Sequence, residues 1–104
     1  MSMSDADTEL PASDPRAALD EEHRRIVGRF VRDGRIVQIP AKLSVRRVLL
    51  EWLVLDFDPA RAYTEAMVNL IIGQRHADVA ALRRYLVDEG LMARAGGSYR
   101  RVPR

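Results

Sequence analysis

Apolar residues recur at helical spacing in four stretches of this chain, and start and stop residues bound each stretch. The first is opened by Ser13-Asp14-Pro15, a capping side chain just ahead of a proline that tolerates the first turn. Leu19, Ile26, Val27 and Phe30 fall on one side of it, with Glu21, Glu22, Arg24, Arg25 and Arg29 elsewhere, which predicts a helix over 13–32. Its acids lead and its arginines follow, as the helix dipole favours, and Asp33-Gly34 stops it. In the second stretch Ser44 is a good N-cap for a helix to about Leu55, with Val45, Val48, Leu49, Trp52 and Leu53 spaced to bury one face. Asp56-Phe57-Asp58-Pro59 is turn chemistry. Thr64 opens the third helix, which buries Val68, Ile71 and Ile72 and ends near Gly73.

After the short link Gln74-Arg75-His76-Ala77, Asp78 opens the fourth helix, closed by Asp88-Glu89-Gly90. At about 100° per residue, Val79, Leu82 and Leu86 share a sector of about 60°, the buried stripe. Ala80, Arg84 and Asp88 lie opposite it, with Ala81 beside them. Arg83 falls between the faces, where Asp56, Asp58 or Glu51 would be its partner. Residues 35–39 are β-branched and weakly alternating and stop at Pro40, a short edge strand. Residues 91–94 and 98–102 flank Gly96-Gly97 as a two-stranded ribbon.

Helix, short turn, helix and ribbon is the order of the winged helix-turn-helix, whose commonest use is holding one helix in a DNA groove. The predicted class is therefore α+β, mostly helical. A winged helix-turn-helix core spans 42–102, and the N-terminal helix and the 35–39 strand are additions to it. Residues 1–12, polar, acidic and non-periodic, read as a disordered tail, and 13–104 as a single winged-helix-like domain.

Charge sharpens this picture more than composition does. The chain has 104 residues and a net charge of +2, enough for one modest core. Residues 1–22 carry seven acids against Arg16, a net of −6, and residues 23–104 carry 16 basic and 8 acidic groups, a net of +8. A basic body is compatible with a nucleic-acid partner. Lys42 is the only lysine, so a codon bias toward arginine is the bland account of the arginine excess, although it leaves the N-terminal acids unexplained. There is no cysteine, which excludes a disulfide framework and a thiolate metal site. The start has no basic or apolar leader, and the longest apolar run, 48–55, is broken by Glu51 and too short to span a bilayer, so a soluble cytoplasmic protein with no membrane partner is expected.

Several motifs carry a resemblance. Phe30-x-x-Asp-Gly-Arg with Ile39-Pro40, then Tyr63-Thr64-Glu65-x-x-Val68-Asn69, then Asp78-x-x-x-Leu82-Arg83-Arg84-x-Leu86-Val87-Asp88-x-Gly90-Leu91-x-x-Arg94 resemble the bacterial domain-of-unknown-function family 2087, over roughly 30–99. Members occur alone or joined to helix-turn-helix regulators, so the resemblance implies a transcriptional setting. It brings no catalytic residues. Met67 stands where an acid is expected, altering a surface or seam contact, and Arg100 stands where an aromatic is common, making the ribbon more basic.

Cations placed for phosphates and side chains able to read base edges are what DNA binding requires. Arg75, Arg84, Arg94, Arg100 and Arg101 supply the cations, and Gly96 and Gly97 let a wing tip approach a backbone closely. The outward Ala77, Ala80 and Ala81 can touch a thymine methyl but make no bidentate bonds, so base discrimination would be weak or rest on Gln74, Arg75, His76 and Arg84. The bland reading makes the glycines a hairpin turn, the arginines a solvated face, Trp52 and Phe57 core, and Tyr63, Tyr85 and Tyr99 half-buried.

Enzyme readings fail. Asp56-x-Asp58 is a turn without a third ligand, His23 and His76 are far apart, and no nucleophile elbow or phosphate loop exists, so neither catalysis nor a cofactor is expected. A homodimer through helix 13–32 would match paired half-sites, although its apolar stripe can equally cover the core. The rival function is a protein–protein interaction module on the same fold, assisting a partner regulator without touching nucleic acid.

Overall fold

The computed structural model describes residues 21–103, and the expectations for the acidic tail and for the Ser13-Asp14-Pro15 helix start lie outside the described residues. In chain order the elements are α1 (Glu21–Phe30), β1 (Val31–Arg32), β2 (Arg35–Ile36), α2 (Leu43–Leu53), a 3-10 turn (Val54–Asp56), β3 (Ala62–Thr64), α3 (Glu65–Gly73), α4 (Val79–Asp88), β4 (Met92–Ala95) and β5 (Ser98–Arg101). Four helices and two small antiparallel sheets make the described residues an α+β fold.

The helix boundaries follow from side-chain chemistry at three of the ends. Thr64 Oγ1 accepts from the Met67 amide at 3.1 Å, and Asp78 Oδ1 accepts from the Ala81 amide at 3.3 Å, so each satisfies a donor that the first turn leaves open. At the end of α4 the Gly90 amide donates to the Val87 carbonyl and the Leu91 amide to the Leu86 carbonyl, with Gly90 at φ +75°. This paired closure needs a left-handed residue, which glycine adopts without a Cβ penalty, and it turns Leu91 into the core.

Three boundaries differ from the expectation. α1 stops at Phe30 rather than near Arg32, because Val31–Arg32 pairs with Arg35–Ile36 across Asp33 and Gly34. Both turn residues have positive φ, 54° and 77°, as a two-residue hairpin turn requires. The strand expected over 35–39 is only Arg35–Ile36: the Val37 amide still reaches the Phe30 carbonyl at 2.8 Å, while the Ile36 amide, on the outer edge of the hairpin, donates to the Arg75 carbonyl at 2.7 Å. α2 begins at Leu43, with Lys42 at the cap position and no side-chain cap, so Ser44 sits inside the first turn.

The larger sheet has the order β3-β5-β4. Its registers oppose Arg94 to Tyr99, Met92 to Arg101 and Ala93 to Arg100, and they set Ala62 beside Arg100 from the other edge. Alternation then divides the sheet into two faces. Tyr63, Met92, Arg94, Tyr99 and Arg101 share the face on which Tyr63, Met92 and Tyr99 are buried, while Ala62, Ala93, Ser98 and Arg100 share the exposed one. The core gathers Leu49, Leu50 and Leu53 of α2, Val68 and Ile72 of α3, and Leu82 and Leu86 of α4 around Phe57, Leu91 and Met92. Phe57 meets Tyr63 edge-on at 5.2 Å, within the range that aromatic pairs favour. Trp52 is only half-buried and packs at the margin of the core. Among the described residues no helix is long and apolar enough to cross a membrane.

Candidate functional site

Polar side chains gather in two clusters along α4, one at its N-terminal end and one about Arg83 at its middle. At the N-terminal end, the link between α3 and α4 is clamped. Arg75 donates from Nε and Nη2 to the two oxygens of Asp56 at 2.8 and 2.9 Å, and from Nη1 to the Gly34 carbonyl at 2.8 Å. Its guanidinium also lies 5.0 Å from the centre of the Trp52 ring. The hydrogen bonds that Asp56 accepts raise the Arg75 pKa above its ordinary value, against the opposing effect of partial burial. Arg35 grips the same link by donating to the Gln74 carbonyl at 2.9 Å. His76 Nδ1 accepts from the Asp78 amide at 2.9 Å, which steadies the entry to α4. The clamp has a plain electrostatic logic, because Arg35 supplies a cation to the carbonyl end of α3.

At the middle of α4 the second cluster joins α3, α4 and β5. Arg83 donates from Nη1 to Asn69 Oδ1 in a short hydrogen bond, and its Nη2 lies 3.7 Å from Glu65 Oε2. The Tyr99 hydroxyl donates to Glu65 Oε1 at 3.1 Å. Arg83 therefore pairs with none of Asp56, Asp58 and Glu51, the partners expected for it. Glu51 and Glu89 are taken by Arg47, at 3.2 and 3.0 Å, which ties α2 to the end of α4.

Beside this second cluster runs a groove between α4 and the β4–β5 hairpin, about 220 Å³ in volume, lined by Arg83, Arg84, Val87, Asp88, Arg94 and Tyr99. Arg84 is exposed and makes no ion pair among the described residues. Arg94 is exposed as well, with its guanidinium 5.9 Å from the centre of the Tyr99 ring. Arginines from a helix and from a strand thus border one concave surface with their charges open to solvent.

The nine candidate residues divide accordingly. Arg84 and Arg94 come together at the groove. Gln74, exposed, and His76, half-buried, lie in the link at the opposite end of α4. Arg75 is engaged by Asp56 and Gly34. Gly96 and Gly97 form the exposed hairpin tip at φ +57° and +83°. Arg100 is exposed on the face of the sheet opposite Arg94, and Arg101, half-buried, donates to the Phe57 carbonyl at 3.0 Å. Glu65, Asn69, Val87 and Tyr99 were not among the candidates. For Glu65 and Asn69 the signal was their spacing, Glu65-x-x-x-Asn69, which places both on one face of α3. Met67, the departure from the expected acid, is half-buried against the core. Among the described residues no group of three His, Asp or Glu side chains is placed to hold a metal ion.

A family model described as "Uncharacterized protein conserved in bacteria (DUF2087)" matches residues 35–101, and the chain belongs to that family. No curated protein and no solved structure matches it.

Proposed function

We propose that this family member is a winged helix-turn-helix protein that holds duplex DNA chiefly by its backbone, in cytoplasmic transcriptional regulation. The order α2, β3, α3, α4, β4, β5, with β5 between β3 and β4, supports taking α3 and α4 as the helix-turn-helix and the hairpin as the wing. One observation carries the reading: Arg84 of α4 and Arg94 of β4, neither paired with an acid among the described residues, border the same groove. Guanidinium groups so placed suit phosphate oxygens. The exposed Ala77 and Ala80 and the half-exposed Ala81 offer no bidentate donors to base edges, so binding is expected to discriminate sequence weakly. Fluorescence anisotropy of a random duplex across a salt series tests the proposal. Two phosphate contacts predict a log–log salt slope of about −2. No binding at low salt removes it.

A protein-docking role is the second reading, and a specific observation favours it. Leu70 of α3 is 70% exposed, and the exposed cations are divided between the two faces of the larger sheet. Retention of a partner protein that is lost in Leu70→Asp, without any duplex binding, would establish that role instead.

A further inference from the structure

The groove between α4 and the hairpin is larger and more apolar than a bare phosphate contact needs. Val87 and the ring of Tyr99 contribute apolar surface to it, and its volume of about 220 Å³ has room for a ring-sized group. Five charged groups bear on it. Arg83 is held by Asn69 and Glu65, which balances its charge locally. Arg84, Arg94 and Asp88 remain, for a net of +1 once all five are counted. Two guanidinium groups with open donor sets above an apolar surface is the pattern that receives an anion with an organic body. The forked donors take paired oxygens, and the floor takes the carbon skeleton.

We infer that this groove binds an organic oxyanion, a phosphate or carboxylate on a compact apolar or aromatic body, with Arg84 and Arg94 on the oxyanion and Val87 and Tyr99 against the body. A DNA backbone phosphate with its sugar and a free small-molecule anion are two sources of that same chemistry. Only the first source rests on the DNA-binding reading. Asp88 opposes either one and sets the site against ligands of high negative charge.

The test uses the full chain and three probes, phenyl phosphate, benzoate and inorganic phosphate, followed by amide chemical shifts and by calorimetry. Phenyl phosphate should shift the amides of 84, 87, 94 and 99 saturably. Inorganic phosphate should bind about tenfold more weakly, since it leaves the apolar floor uncovered. The Arg84→Gln, Arg94→Gln double variant should lose at least about tenfold in affinity while its melting temperature holds, because both side chains are exposed. Asp88→Asn should tighten binding by about two- to threefold through removal of the opposing charge. Displacement of phenyl phosphate by a random duplex assigns the site to the DNA backbone. Saturable phenyl phosphate binding without any duplex binding assigns it to a free anion, and the DNA reading then falls alone. Shifts scattered over arginines on several faces, or unaltered affinity in the double variant, overturn the inference whether or not DNA binds.

Discussion

Arg75 and Asp56 meet in a two-pronged ion pair, Nε to Oδ2 at 2.8 Å and Nη2 to Oδ1 at 2.9 Å, and the third nitrogen of the same guanidinium reaches the Gly34 carbonyl. One side chain thereby fastens three segments that no regular element joins: the link between α3 and α4, the 3-10 turn after α2, and the β1–β2 hairpin. Arg75→Lys keeps the charge and cannot reproduce the fork. It should cost about 1–2 kcal/mol, read as a lower urea midpoint. The salt slope of any DNA binding should not change. In Arg75→Gln, which removes the charge, an unchanged midpoint with a shallower slope would return Arg75 to the interface. The raised Arg75 pKa adds no pH step near neutrality: stabilisation from a group whose folded-state pKa is raised is complete below its unfolded value, and it is lost only as pH climbs through the higher folded one.

Local chemistry was legible in the sequence wherever a single residue carries its own physical reason. Thr64 and Asp78 cap the helices they were expected to open, and Gly96-Gly97 is the turn of a hairpin. Asp33-Gly34 was harder, because the same pair stops a helix and turns a hairpin, and only the tertiary position of Ile36 decides which. β3 is three residues long, too short for alternation to register, and its pairing with β5 spans more than thirty residues of chain. Charge partners were the least legible. Arg75 and Arg83 have similar acids within sequence reach, and the approach of α3 to α4 gave Glu65 to Arg83 while the folded 3-10 turn gave Asp56 to Arg75. Helical phase did place Arg84 outward, and nothing in that phase could say that Arg100 and Arg94 take opposite sheet faces.

The β1–β2 turn should be more sensitive to a methyl group than the β4–β5 turn. Gly34 and Gly97 both have positive φ, 77° and 83°, so alanine strains either backbone by about 1 kcal/mol. A Cβ on Gly34 would also stand 3.1 Å from Arg75 Nη1, whereas a Cβ on Gly97 meets nothing within 4 Å. Gly34→Ala should therefore lower the melting temperature more than Gly97→Ala does. Equal losses would mean that the Arg75 clamp yields without cost.

The cluster beneath the groove offers a graded test. Tyr99 is buried, and its hydroxyl hydrogen bond to Glu65 makes Tyr99→Phe a loss of about 0.5–1.5 kcal/mol in denaturant unfolding. Glu65 is about half exposed and stands 3.7 Å from Arg83, so its ion pair is worth less. A double-mutant cycle on Glu65→Gln and Arg83→Gln should give a coupling of about 0.5 kcal/mol. A coupling several times larger would show that the short Arg83–Asn69 bond depends on Glu65.

The register of the hairpin makes the DNA reading unusually easy to break. Arg94 opposes Tyr99 on the side of the sheet that borders α4, and Arg100 opposes Ala93 on the other side. A duplex seated against α4 can neutralise Arg84 and Arg94 together, and it leaves Arg100 facing away. Arg84→Ala and Arg94→Ala should each make the salt slope shallower by about one unit, and Arg100→Ala should leave it alone. Unfolding midpoints of all three should stay within about 0.5 kcal/mol of the parent, since each side chain is exposed. If Arg100 carries a unit of slope and Arg94 none, the duplex lies on the far face of the sheet, α4 is not its reader, and the groove beside Tyr99 is left for the small oxyanion alone.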